Sequence, residues 1–120
     1  MSDGNADPNA VRDYYDYVDD EAYEDLYALF SEDVVYERPG QEAIEGKAEF
    51  REFYEAGRPL EDGEHEVVSV VAEGDTVAVR GRFSGVQGGE TVSFGFADFH
   101  EFDDEGRIAR RYTYTDRDTV

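Results

Sequence analysis

Thr91-Val92-Ser93-Phe94-Gly95-Phe96-Ala97-Asp98-Phe99-His100-Glu101-Phe102 is the run on which the reading of the fold turns. Side chains alternate between faces along a strand, so Phe94, Phe96, Asp98, His100 and Phe102 share one face, and Ser93, Gly95, Ala97, Phe99 and Glu101 the other. Two ionisable groups thus stand on an aromatic face. A carboxyl among phenylalanines loses water on ionising, which predicts a raised pKa and a protonated Asp98 able to donate a hydrogen bond. A second reading of the same residue is a satisfied core network, with Asp98 bonded to a neighbouring tyrosine or arginine.

The flanking sequence extends the strand pattern in both directions. Valine-rich runs from His65 to Glu73 and from Thr76 to Ser84 join at Glu73-Gly74-Asp75, and Gly88-Gly89 links the second to the run above. Asp103-Asp104-Glu105-Gly106 makes the last turn, and Arg107 to Thr115 alternates as a final strand. In that strand Ile108, Tyr112 and Tyr114 make one parity the more apolar, which leaves the direction of Arg111 open. Arg80 and Arg82 alternate away from Val77, Val79 and Phe83 and are expected outside any cavity.

Upstream the period changes to that of helices. Asp7-Pro8 suits a helix start, with Val11, Tyr14 or Tyr15, and Val18 on one stripe. Asp19-Asp20 offers a break and a new cap before a second stripe of Tyr23, Leu26, Tyr27 and Phe30. Ser31-Glu32-Asp33 reads as a polar connector, and Val34 to Glu37 as a short strand ended by Pro39-Gly40. Gly46 precedes a third stripe, Phe50, Phe53 and Tyr54, stopping around Gly57-Arg58-Pro59. Helices followed by a meander of strands indicate segregated α+β, a curved antiparallel sheet with one face on the helices and the other left for water or a partner protomer.

The chain has 120 residues, near the size of one domain, which we place at residues 8–116 between a disordered tail of residues 1–7 and a short tail of residues 117–120. Its 31 acidic and 11 basic residues give a formal charge of -20, which opposes binding to nucleic acid or anionic membrane. No cysteine is present, excluding thiolate chemistry and Cys-ligated metals. No His-x-x-x-His pair or calcium-loop spacing appears, so no metal or other cofactor is expected. The start of the chain has neither the basic cluster nor the apolar run of a signal peptide, which predicts a cytoplasmic protein. Disorder is the competing explanation of so acidic a composition, with a mean hydropathy of -0.73, but the regular spacing of nine Tyr and eight Phe argues for a packed core. Carboxylates spread along the whole chain, with Lys47 the only lysine, suit a surface adapted to concentrated salt, as in halophilic proteins.

Several strings together resemble the nuclear transport factor 2-like (NTF2-like) superfamily, in its SnoaL-like and ketosteroid-isomerase-like branch. They are Tyr27-Ala28-Leu29-Phe30-Ser31-Glu32-Asp33-Val34 running into Pro39-Gly40, Gly46 with Phe50-Arg51-Glu52-Phe53-Tyr54, Gly74-Asp75-Thr76-Val77-Ala78-Val79, Phe96 to Phe102, and Gly106-Arg107-Ile108. The resemblance implies a cone of three N-terminal helices on a strongly curved sheet, enclosing an apolar cavity, and a homodimer through the outer sheet face. It places Asp98 as the protonated Asp of an oxyanion hole and Tyr14 as the tyrosine that completes it. His100, on the same strand face, is preferred over His65 as an acid–base residue. Phe83, Phe94, Phe96 and Tyr54 would line the cavity beside a small apolar carbonyl compound. The sequence departs from the pattern at Arg38, which stands where the family's general-base Asp precedes the matching Pro. A guanidinium cannot take a proton, although it could grip a carboxylate or enolate in bidentate fashion. A cofactor-independent isomerase or cyclase, a non-catalytic binder of a hydrophobic metabolite, and a purely structural dimer all remain open at this stage.

Overall fold

The computed structural model describes residues 6–38, 42–57 and 60–115. Helix α1 spans Pro8–Asp19, started as its sequence predicts: the Asp7 carboxylate accepts from the amides of Asn9 and Ala10 at 3.0 and 3.2 Å, with Pro8 in the first turn. Val11, Tyr14, Tyr15 and Val18 are all buried, so both candidate tyrosines of the stripe face inward. Ala6 donates from its amide to the carbonyl of Gly74, so Ala6 and Asp7 are tied into the fold, and the rest of the expected N-terminal tail lies outside the described residues, as do residues 116–120.

Two local expectations are corrected. Asp20 does not cap the second helix. It ends α1, Glu21 takes a left-handed φ of 57°, and α2 runs only Tyr23–Tyr27 from an Ala22 cap that makes no side-chain hydrogen bond. Phe30, counted in the helical stripe, instead opens strand β1 (Phe30–Glu37), which absorbs the supposed connector Ser31-Glu32-Asp33. The spacing of Phe30 after Leu26 suits either element, and its contact with the sheet wins. Strand β2 is Ile44–Glu45, and α3, Lys47–Glu52, continues into a π-helical turn at Phe53–Gly57. The expected stops at Pro39-Gly40 and Arg58-Pro59 lie outside the described residues.

The remaining strands are β3 (Leu60–Glu73), β4 (Thr76–Gln87), β5 (Glu90–Phe102) and β6 (Ile108–Thr115). They form a six-stranded sheet in the order β2-β1-β6-β5-β4-β3, antiparallel except where β1 lies parallel to β6. Gly88 and Gly89, with φ of 61° and 84°, close the β4–β5 hairpin in the conformation that a two-residue turn between right-twisted strands requires. The inner face of β4 and β5, including Val77, Val79, Phe83, Phe94, Phe96 and Phe102, packs with residues of the helices into one core. At Gly81 the strands come so close that a Cβ would lie 2.3 Å from the Glu66 carbonyl oxygen and 2.7 Å from the Phe96 ring, so this inner-face position must be glycine.

Candidate functional site

The alternation along β5 places Asp98 and His100 inward as the sequence predicts, and both are buried completely enough to exclude bulk solvent, at 1% and 0% exposure. The face of β6 opposite them is set by a bulge. Phe102 pairs with Ile108 but Glu101 pairs with Arg110, leaving Ala109 as an extra residue. The bulge reverses the parity of the strand, so Ile108 points inward at its start, while Arg111 and Thr113, not Tyr112 and Tyr114, point inward beyond it. Arg111, whose direction the sequence left open, is thereby delivered to the core beside Asp98.

Both carboxylate oxygens of Asp98 are occupied. Oδ1 accepts from the Thr113 hydroxyl at 2.6 Å, and Oδ2 accepts from the Tyr15 hydroxyl at 2.5 Å and from Nη2 of Arg111 at 2.8 Å. Burial raises the pKa of this carboxyl, but the Arg111 charge and the hydrogen bonds from Thr113 and Tyr15 outweigh it and hold the group below the ordinary carboxylate range. The protonated Asp98 expected from its phenylalanine neighbours is therefore corrected. It is an ionised acceptor, and Arg111 is the reason. Arg111 stays charged in turn, because the Asp98 carboxylate overcomes the penalty of its burial. Its guanidinium lies between two aromatic faces, 4.4 Å from the ring centroid of Tyr14 and 4.4 Å from that of Tyr36. The Tyr36 hydroxyl is 3.2 Å from that of Thr113.

His100 differs from its expected role as well. Tyr15 spends its only proton on Asp98, so the 3.2 Å contact between Tyr15 Oη and His100 Nε2 requires the proton on Nε2 and leaves Nδ1 as an acceptor without a partner. Burial, reinforced by the Arg111 charge, lowers the imidazole pKa to about 3, so His100 is neutral at physiological pH and does not titrate near neutrality. Its effect on stability has a definite sign. Below about pH 6.5 the unfolded chain takes up a proton that the native ring refuses until about pH 3, so stability falls as the pH drops through that window. We expect His100→Gln to flatten the pH dependence of the unfolding free energy, read from urea titrations, by up to about 1.4 kcal/mol per pH unit there. Coincident slopes for the two proteins would show that His100 ionises in the folded state. Asp98 adds to acid lability lower down: its contribution is full above the unfolded value of about 3.9 and is lost as the pH falls through its lower folded value.

Tyr14 does not meet Asp98. Its hydroxyl bonds that of Tyr54, and burial raises its pKa well above the ordinary tyrosine value, so it remains a neutral hydroxyl. Phe83, Phe94 and Phe96 are buried on the inner face with it, Phe83 and Phe94 with ring centroids 5.3 Å apart. Arg38 is half-buried and stacks 4.3 Å from the Phe53 ring centroid and 5.9 Å from that of Tyr36. Beside it a depression of about 220 Å³, open to solvent, is lined by Glu37, Arg38 and residues 112–115 of β6, including Thr113. His65 packs against the network without a hydrogen bond to it, its ring centroid 5.3 Å from that of Tyr15 and 5.5 Å from that of Phe96, while its Nδ1 is 2.6 Å from Asp19 Oδ1 and its amide donates to Asp19 Oδ2 at 2.8 Å. The site thus brings together Asp98, His100, Tyr15, Thr113 and Arg111 as one network, with Tyr14, Tyr54, Tyr36 and Arg38 around the arginine. Sequence reasoning missed Tyr15, Thr113 and the direction of Arg111. The first two lie next to a chosen residue or one strand position away, and the third depended on a bulge. Among the described residues no group of three or more His, Asp or Glu is arranged to hold a metal ion.

No helix is long and apolar enough to cross a membrane among the described residues. Comparison with solved structures finds the same fold in a protein from Jannaschia sp. CCS1 assigned as a SnoaL-like polyketide cyclase, with a TM-score of 0.79 and 20% identity over 90% of this chain and 83% of that one. An NTF2-like protein of unknown function from Exiguobacterium sp. 255-15 matches at a TM-score of 0.77 and 22% identity over 89% of this chain and 98% of that one. A protein from Kribbella flavida DSM 17836 assigned as a ketosteroid isomerase matches at a TM-score of 0.73 and 28% identity, over 91% and 76% of the two chains. No curated protein matches the sequence. The family model described as the SnoaL-like domain matches residues 11–111, from the first buried valine of α1 to the arginine at the centre of the site, and the chain belongs to that family.

Proposed function

We propose that this SnoaL-like domain takes a small, mostly apolar carbonyl compound into a cavity on the inner face of its sheet. There it polarises the carbonyl oxygen through Arg111 and the Tyr14–Tyr54 hydroxyl pair, as a cofactor-independent isomerase or cyclase. The observation that carries this reading is the hydrogen-bond state of Arg111: only Nη2 is used, and the buried Nε and Nη1 donate to nothing. A buried donor left unmade costs about 1–3 kcal/mol, so two such groups on one rigid guanidinium favour a ligand oxygen in front of them. Asp98 then acts as a positioning residue that fixes Arg111, and the oxyanion donors are Arg111 and a tyrosine rather than an aspartic acid. The depression at Arg38 supports an entrance there, since it reaches Thr113, the outermost member of the network.

A binder without chemistry is the second reading, favoured by the absence of an evident base in the network among the described residues. Arg38 occupies the position implied for it, His100 is a very weak base, and the Asp98 oxygens are all engaged. A panel of enolisable ketones and polyketide-like compounds in molar KCl separates the two. For an enzyme, Tyr14→Phe should lower turnover by about 10²–10³, the usual cost of one oxyanion donor. Binding without turnover selects the second reading, and neither binding nor turnover overturns both.

We also propose a cytoplasmic protein that forms a homodimer through the outer sheet face. Val71, Phe99 and Tyr114 are exposed there at 64%, 39% and 58%, a concentration of large apolar side chains unlike the rest of the acidic surface. Arg80, Arg82 and Arg110 are exposed on the same face, where they offset the charge that would otherwise keep two such chains apart.

A further inference from the structure

We propose that Asp19 and His65 form a second chemical site, a general base that activates water for the hydrolysis of small neutral or cationic esters. It lies where the end of α1 meets the edge strand β3, and it does not depend on the reading of the Arg111 network. The Asp19 carboxylate is held at both oxygens by one residue: Oδ2 accepts from the His65 amide at 2.8 Å, and Oδ1 faces the ring Nδ1 at 2.6 Å. A carboxylate oxygen only accepts, so Nδ1 carries the hydrogen and, whenever the ring is neutral, Nε2 carries the lone pair. The His65 side chain is 9% exposed, with the rings of Tyr15, Phe83 and Phe96 at 5.3, 4.9 and 5.5 Å from its own. Packing and the carboxylate together preset the orientation and tautomer that a base needs.

Two features of the surrounding chain break local rules, as functional sites do. Asp16, Asp19 and Asp20 crowd the end of α1, where the negative pole of the helix dipole disfavours carboxylates and the last turn holds no basic residue. Strand β3 also breaks register with β4 on both sides of His65, between Glu61 and Glu64 and between Val67 and Ser69, irregularities of the kind that re-aim a side chain. His65 and Asp19 share a depression of about 620 Å³, open to solvent, with Asp16, Asp20, Glu64 and Arg82 among its other lining residues. A water molecule there passes a proton to Nε2 while its oxygen bonds to the acyl carbon and the carbonyl electron pair moves onto oxygen. Arg82, in the same depression, stabilises that oxyanion. As the tetrahedral adduct collapses, the bond to the alkoxy oxygen breaks and Nε2 returns its proton to the leaving alcohol, so the ring ends as it began. Asp19 stabilises the imidazolium between these steps and acts as the positioning residue. The surrounding carboxylates oppose an anionic ester and expel the carboxylate product, while a neutral or cationic ester can enter.

The test follows hydrolysis of 4-nitrophenyl acetate by the full chain in molar KCl, with circular dichroism checking the fold of each variant. His65 is one of two histidines, and His100 is 0% exposed, so His65 is the imidazole that an ester in solution can reach. Repeated turnover is expected from the wild type, loss to the rate without protein in His65→Gln, and recovery when imidazole is added to His65→Ala. Asp19→Asn is expected to lower turnover by about 10²–10⁴, the usual contribution of a positioned base. The reason is geometric: the His65 amide keeps the side-chain oxygen, which turns the new NH₂ onto Nδ1 and moves the ring proton to Nε2. Nitrogen-15 NMR of the neutral ring reads that move without reference to activity. Arg82→Gln should lower kcat by up to about 10². The anionic ester 4-acetoxybenzoate should be accelerated at least about tenfold less than 4-nitrophenyl acetate, each relative to its rate without protein. No turnover by the wild type, turnover unchanged in His65→Gln, or a ring proton already on Nε2 in the wild type would overturn the proposal. Turnover lost in Arg111→Lys but kept in His65→Gln would assign the hydrolysis to the inner network and overturn it too, leaving the reading of Arg111 intact.

Discussion

Asp98→Asn is expected to cost the folded state about 3–5 kcal/mol, measured as a lower urea midpoint in molar KCl. The size follows from what stays behind. Arg111 is 3% exposed, and with the carboxylate gone it keeps a full charge in the core with no counterion. An amide also cannot reproduce the three bonds that Asp98 accepts from Thr113, Tyr15 and Arg111, because its nitrogen would confront at least one donor with another. Typical domains are stable by only about 5–15 kcal/mol, so the variant should be near the limit of folding. Removing both charges tells a different story: Asp98→Leu combined with Arg111→Met should recover much of the loss, since a buried ion pair often contributes little beyond what apolar packing supplies. A single variant within about 1 kcal/mol of the wild type would mean that Arg111 is not confined with Asp98 as described.

The other large effect concerns salt. Dilution from molar KCl to low ionic strength is expected to remove the cooperative thermal transition altogether. The formal charge of -20 is spread over 120 residues, and the screening length grows from about 3 Å at 1 M to about 30 Å at 0.01 M, so every carboxylate then interacts with most of the others. Little in the described structure opposes this: Lys47–Glu32 and Arg51–Glu24 are surface pairs of the kind that contribute at most about 1 kcal/mol each. Circular dichroism checks the transition, and light scattering of the same sample in molar KCl checks the proposed dimer, which should run at twice the 13.6 kDa of one chain. The same melt at low salt as in molar KCl would sink the reading of the surface as salt-adapted, and a monomeric mass in KCl the reading of the outer face as an interface.

Much of the fold was legible because the strands advertise themselves. The alternation of Phe94, Phe96, Asp98, His100 and Phe102 fixes which side of β5 is buried, and the Gly88-Gly89 pair fixes where β4 turns into it. Asp7-Pro8 names the start of α1 because a cap is a local event. The second helix was less legible. Its stripe runs on into Phe30 without a breaker, and only the pairing of Phe30 with Ile108, far along the chain, decides that this residue belongs to a strand.

The candidate site divides along the same line. That Asp98 and His100 face inward is a local fact, readable from period alone. Their protonation states are not, because both depend on Arg111. A carboxyl among phenylalanines should be protonated; one beside a buried guanidinium, with two hydroxyls donating to it, should not. No local pattern assigns Arg111 to the core, since Ile108, Tyr112 and Tyr114 read as the apolar face of a regular strand. The position of an unpaired residue in a ladder is set by what the partner strands demand, and so it cannot be inferred from the letters of β6 alone.

The supernumerary Ala109 therefore acts as a selector. Were Ala109 paired as in a regular ladder, Arg110 and Tyr112 would trade places with Arg111 and Thr113, and the inner face of the sheet would be presented with the complexion now worn by its outside. Absorbing the extra residue into the ladder would exchange the inner and outer faces of β6 in a single step, with no change to the rest of the sheet. Homologous positions in β6 are best matched by the side toward which they point rather than by their place in the string.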